Sequence, residues 1–168
     1  MEYEDPLDEF RIKKEDLKKL HNKKYVLNRM RKGDQYQDLF GYSDETMMKF
    51  YTKAKGLFDS GEYKKAADAF FFLGSLNPTM AGYWFGQGLA EQRCERYQKA
   101  LLAYGSCVAA NPVDPRAYLY LGECLYKLGY MQQAEEMFLF AIPLAEPTEF
   151  KKVKKDLEKA LAWLKGKK

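Results

Sequence analysis

Small and aromatic residues recur along the middle of the chain at a fixed step. Ala66, Ala100 and Ala134 lie thirty-four residues apart, and the same step links Phe70, Tyr104 and Phe138. It also links Phe50, Trp84 and Tyr118, then Ala54, Gly88 and Gly122, then Tyr63, Tyr97 and Met131. Two of the units end alike, in Asn77-Pro78 and Asn111-Pro112. Five sets of equivalent positions in one register define a repeat.

Thirty-four is the tetratricopeptide period, and the order aromatic, small, aromatic, Ala, aromatic, Pro follows that pattern. The expected fold is therefore all-α, with three tetratricopeptide repeats in a curved superhelix over residues 43–148. Each unit is a pair of antiparallel helices. The small residue of the first helix and the Ala of the second let the two approach closely, and the ring at Phe70, Tyr104 or Phe138 fills the space toward the next unit. Ser60-Gly61 and Leu128-Gly129 mark turns where Gly takes left-handed geometry. Glu95 stands where the second unit would have that Gly, so its turn is expected to differ. Pro143 is expected to interrupt the last helix of the third unit.

Two flanks remain. Residues 1–42 read as an N-terminal helical extension, with one helix from about Lys14 to Lys32 carrying Leu17, Leu20, Leu27 and Met30 as its apolar stripe. Ser43 followed by Asp44 and Glu45 reads as a helix cap with an acidic first turn. Residues 149–168 read as a C-terminal capping helix. There Phe150, Val153, Leu157, Leu161 and Leu164 form one face able to seal the open end of the stack. Phe71 and Phe72, two rings beyond the repeat pattern, are expected to pack under the N-terminal helix.

Composition narrows the chemistry. Of 168 residues, 46% are hydrophobic and 31% charged, which fits a folded soluble chain. No apolar run is long enough for a membrane span, and the acidic start at Glu2, Glu4 and Asp5 gives no secretory signal. Cys94, Cys107 and Cys124 cannot all pair and form no C-x-x-C arrangement, so a reducing compartment is expected, with Cys107 a buried core residue. His21, the single histidine, leaves no Cys-His or Ser-His relay and no multi-histidine metal site. The expectation is no enzyme, no cofactor and no metal. The terminal segment 149–168 holds eight Lys against three acids. Without interleaved aromatics these lysines read as a solvated face, so neither nucleic acid nor direct membrane binding is expected.

What the repeats do not need for packing lies on the first helices, which line the inner surface of such arrays. The fifth, ninth and twelfth sites of each unit share one helical face. They are Tyr51, Lys55 and Phe58, then Phe85, Leu89 and Gln92, then Leu119, Glu123 and Tyr126. Six of the nine are apolar or aromatic, which suits an extended peptide with apolar side chains at intervals, held by a few polar contacts. The alternative is that these rings only pack inside a compact helical bundle.

Beyond the repeat, four stretches carry a more specific likeness: Ser60-Gly61-Glu62-Tyr63, Gly86-Gln87-Gly88, Pro115-Arg116 with Glu123-Cys124-Leu125, and Thr148-Glu149-Phe150-Lys151. From about Met47 onward the chain resembles the class II chaperones of bacterial type III secretion. The resemblance implies a non-enzymatic cytoplasmic chaperone that holds an extended segment of hydrophobic secreted translocator proteins in its concave groove, keeping them soluble until secretion. It places the family's groove aromatics on Tyr51 and Phe58, with Lys55 where the family often has a third ring. It also implies a homodimer through the N-terminal helices and first repeat, for which Leu17, Leu20, Leu27 and Met30 are the candidates. Two rivals stay open: a general repeat scaffold or cochaperone linking protein partners, and a regulator touching nucleic acid through the lysine-rich helix.

Overall fold

A computed structural model describes residues 11–166. The expected acidic start at Glu2, Glu4 and Asp5, the first ten residues of the extension and the last two lysines lie outside the described residues. The regular structure is helical: α1 (Lys14–Leu20), α2 (Lys23–Arg31), α3 (Tyr36–Leu39), α4 (Asp44–Asp59), α5 (Tyr63–Leu76), α6 (Ala81–Arg93), α7 (Tyr97–Ala110), α8 (Pro115–Lys127), α9 (Met131–Leu144) and α10 (Lys151–Lys165), with a 3-10 turn at Thr148–Phe150 before the last. From α4 to α10 each helix packs chiefly on its neighbours in sequence, as a stack of helical hairpins must.

Local chemistry starts these helices where the chain says it should. Ser43 Oγ accepts the Thr46 N–H at 3.2 Å, and Asp44 and Glu45 lie against the positive end of α4. Asp114 caps α8 by accepting the Arg116 N–H at 3.0 Å, with Pro115 as the first helical residue. Packing then follows the repeat. A Cβ on Gly88 would lie 2.5 Å from the Tyr104 ring of the same hairpin, and one on Gly86 would lie 2.6 Å from Phe70 of the preceding hairpin. Tyr104 in turn stacks on Tyr120 of the following hairpin, with centroids 5.7 Å apart. The repeat ring thus closes both its own hairpin and the joint to a neighbour.

Four expectations need correction. The helix read from Lys14 to Lys32 is two helices. The Asn22 side chain accepts the Tyr25 N–H at 3.1 Å and opens α2, while the His21 ring nitrogen donates to the Leu17 carbonyl at 2.8 Å and closes α1. The second turn does not differ from the others. Glu95 adopts a left-handed φ of 57°, and the bonds Glu95 N–H to Gln92 and Arg96 N–H to Glu91, both 3.0 Å, repeat those made at Gly61 and Gly129. A non-glycine residue there bears a steric cost that the surrounding hairpin imposes.

Pro143 does not interrupt α9, which continues to Leu144. A proline in the last turn removes one N–H, and the Ala145 N–H still reaches the Ala141 carbonyl at 3.1 Å. Phe71 and Phe72 are not covered by the N-terminal helices. They remain exposed, Phe72 edge-on to Phe50 at 5.5 Å and Phe71 turned toward Trp84 at 6.4 Å.

The C-terminal amphipathic helix packs against the last hairpin. Leu157 and Leu164 of α10 are buried in one core cluster with Leu119, Ala134 and Phe138. Its lysines lie mostly outward, with Lys154 paired to Glu146 at 2.6 Å.

Candidate functional site

The inner faces of α4 and α6 form the wall of an open trough of about 520 Å³. Tyr51, Phe58, Phe85 and Leu89 line it, each half-buried, with exposed Lys55 on its rim. These residues meet because sites five, nine and twelve fall on one side of a helix and the hairpins stack with those sides together. The rings are braced from behind. Tyr51 lies edge-on to Phe70 at 5.9 Å, and Phe85 lies edge-on to Tyr104 and Tyr120 at 5.9 and 5.6 Å. Such rings present fixed apolar area and lose little entropy when covered. The compact-bundle alternative fails here, because the space between α4 and α6 is not filled by the protein's own side chains.

Not all nine inner-face residues share that trough. Gln92, Glu123 and Tyr126 line a second pocket of about 310 Å³ near the ends of α6, α8 and α10. Leu119 lines neither. At 6% exposure it belongs to the core with Leu157 and Leu164, because α10 packs on the last hairpin and covers it. Leu119 is therefore a packing residue and not part of the open surface.

Among the trough residues that are not first-helix inner-face sites, Asp114 and Arg116 carry charge into it from α8 and its cap. Asp114 and Arg116 close its far side, joined by Arg116 Nε to Asp114 Oδ1 at 2.9 Å and Nη2 to Oδ2 at 2.5 Å. Burial works against ionisation of the Asp114 carboxyl, but the Arg116 side chain and N–H outweigh it and hold the carboxyl below its ordinary value. The guanidinium sits 5.6 Å from the Phe85 ring centre and 5.9 Å from that of Phe150, so one cation ties the trough to the lead-in of α10. Their signal in the sequence is the run Asp-Pro-Arg, a cap followed by Pro at the first helical position, which puts Arg116 at the helix start facing the trough.

Comparison with known proteins bears on what this geometry serves. A tetratricopeptide-repeat family model matches residues 85–146. Low calcium response locus protein H of Yersinia pestis is 28% identical over 127 residues, 75% of this chain and 76% of that protein. A type III secretion complex from Aeromonas hydrophila shares the fold at a TM-score of 0.82 and 23% identity, over 86% of this chain and 97% of that one. The Yersinia enterocolitica type III secretion chaperone SycD, solved with a peptide of the translocator YopD, matches at a TM-score of 0.71 and 27% identity, over 74% of this chain and 96% of that one. In sequence and in fold the chain is similar to type III translocator chaperones.

Two of the three cysteines, Cys107 and Cys124, are buried. Burial pushes the Cys107 thiol up to about 11 and the Cys124 thiol up to about 12, so both stay protonated at neutral pH. Among the described residues no group of His, Cys, Asp and Glu could hold a metal, and no helix is long and apolar enough to cross a membrane. The apolar stripe of the N-terminal arm is open: Leu17, Leu27 and Met30 are each about two-fifths exposed, Leu20 is half-buried, and neither α1 nor α2 has a buried residue.

Proposed function

We propose that the protein is a non-enzymatic cytoplasmic chaperone that captures an extended segment of a hydrophobic type III translocator in the trough between α4 and α6. The observation that carries this is the open trough itself: rings at Tyr51 and Phe85, braced from behind by buried Phe70 and Tyr104, face open space. The SycD structure with a peptide of YopD supports the same use of the fold. Tyr51, Phe58, Phe85 and Leu89 supply the apolar contact, and Lys55 supplies a cation at the rim for an acidic residue of the client. The protein keeps such a client soluble by covering its apolar segment before secretion.

Co-expression with a translocator encoded beside the chaperone tests this. The client should stay soluble and co-purify, and the complex should survive high salt, since apolar burial is screened far less than charge pairing. A complex that falls apart steeply with salt would favour a scaffold that reads a charged tail. We also assign the open stripe of Leu17, Leu20, Leu27 and Met30 to a second copy of the chain. Sedimentation should report a dimer that Leu27→Asp with Met30→Asp converts to monomer, and an unchanged dimer would refute that assignment.

A further inference from the structure

The second pocket differs in kind from the first. Its walls are Tyr126 and Trp163, whose rings meet edge-on with centroids 4.6 Å apart, together with Phe138, Ala160, Leu164 and the exposed Lys127. Facing them is the Glu123 carboxylate. Among the described residues it has one hydrogen-bond partner, the Gln92 amide, which donates to Oε2 at 3.0 Å. No Lys or Arg among the described residues lies within ion-pair distance of it. Gln92 is itself fixed, since the Tyr104 hydroxyl donates to its Oε1 at 2.9 Å.

A half-buried carboxylate with no ion pair, set against two aromatic rings and with exposed Lys127 beyond ion-pair distance at the pocket's edge, is an incomplete site. Carboxylate and ring faces both attract a cation, and the apolar floor accepts an aliphatic stem. We propose that this pocket binds a lysine or arginine side chain of the captured segment, and so reads a basic residue downstream of the apolar anchors. The proposal rests on the function proposed above. The two sites are neighbours along α6, because Leu89 lines the first and Gln92, one helical turn further on, lines the second. An extended chain leaving the first trough therefore enters the second, and α10 becomes a recognition wall as well as a cap.

The carboxylate's surroundings fit a site kept ready for a ligand. Burial raises the Glu123 pKa, the Gln92 bond partly opposes this, Asp156 of α10 adds to the rise, and Lys127 on α8 works against it. Tyr104 and Tyr120 also face the group and stay neutral. A raised pKa in the folded state means that folded protein binds the proton more tightly. Stability is then greatest below the ordinary carboxylate range and falls as pH rises through the shifted value. Glu123→Gln keeps an acceptor for Gln92 and removes the charge. It should leave the free protein more stable near neutral pH and unchanged in acid. A variant less stable near neutral pH would make the carboxylate structural and overturn the proposal.

Binding is tested on the full chain with single-residue probes, Nα-acetyl-lysine methylamide and its uncharged isostere Nα-acetyl-norleucine methylamide. The readout is the Trp163 indole N–H resonance, with Trp84 as internal reference because its indole donates to the Pro78 carbonyl at a separate site. The lysine probe should shift Trp163 saturably and leave Trp84 in place. Glu123→Gln should weaken the lysine probe about ten-fold and leave the norleucine probe unchanged. Tyr126→Leu should also weaken lysine more than norleucine. Equal binding of both probes, no shift at Trp163, or a lysine response untouched by Glu123→Gln would overturn the inference. Because these probes need no client, a failure here leaves capture in the first trough standing, and a failure of capture leaves this measurement interpretable.

Discussion

Replacing Tyr51 and Phe85 together with Ala is expected to weaken capture of a translocator segment by roughly five- to thirty-fold. Full burial of a large apolar side chain is worth about 1.5–3 kcal/mol, and no more than about a third of each of these rings is still exposed in the free protein. Roughly a third of that value is therefore left for the client, or about 1–2 kcal/mol for the pair. Ordering a flexible segment costs on the order of 2–5 kcal/mol. Loss of two anchors then removes most of the surplus that a short peptide retains.

Fluorescence anisotropy of a labelled client segment measures the change. Phe85 also braces Tyr104 and Tyr120, so Phe85→Leu serves as the variant that preserves packing while removing the flat ring. Tyr51→Ala alone should cost about two- to five-fold. A double variant that stays folded and binds within about three-fold of the original would show that the client lies elsewhere. The contrast with Lys55 is informative. It is exposed, so Lys55→Ala should change affinity by no more than a rim charge does, under about 1 kcal/mol, and only at low salt.

The thirty-four-residue register made the hairpins legible because stacking imposes the same small and aromatic residues at every joint. Ala66, Ala100 and Ala134 are all fully buried, as that register requires. It also placed Tyr51, Phe58, Phe85 and Leu89 on one open surface. The reading stopped at the third unit, and there it went wrong about Leu119. Carried one step further, the register aligns Val153, Leu157 and Ala160 of α10 with Leu119, Glu123 and Tyr126, so α10 acts as the first helix of a fourth unit. That alignment covers Leu119 and brings Trp163 beside Tyr126.

What the register could not reveal was conformational or long-range. Glu95 at a left-handed φ is set by the hairpin around it and not by its own preference. The break at His21 and Asn22 depends on two side-chain bonds to the backbone, which outweigh a continuous stripe of leucines. The link from Tyr104 through Gln92 to Glu123 joins three helices, and no local spacing encodes it.

Gly88→Ala is expected to destabilise the fold, although alanine is the better helix former. In the interior of α6 the exchange should gain about 0.5–1 kcal/mol from backbone entropy alone. The added Cβ, however, would sit 2.5 Å from Cε1 of Tyr104 and 2.7 Å from Cδ1. Tyr104 is fully buried, stacked on Tyr120 on one side and bonded to Gln92 through its hydroxyl, so its ring has no free direction of escape. Overpacking of this kind costs about 1–3 kcal/mol, which exceeds the helical gain.

The net loss should lower the melting temperature by a few degrees, since one kcal/mol is worth about 2–4 °C in a chain of this size. It should also loosen the Tyr104–Gln92 bond that sets Glu123. Gly105 in α7 gives the opposite case: nothing lies within 4 Å of its missing Cβ, so Gly105→Ala should raise the melting temperature. Thermal melts of both variants, with Gly88→Ala repeated in a Tyr104→Leu background, decide between propensity and packing. If the ring is the obstacle, trimming it should relieve the penalty of Gly88→Ala and the two substitutions should not add. Additive losses would mean that the close approach of α6 and α7 is not held by this ring.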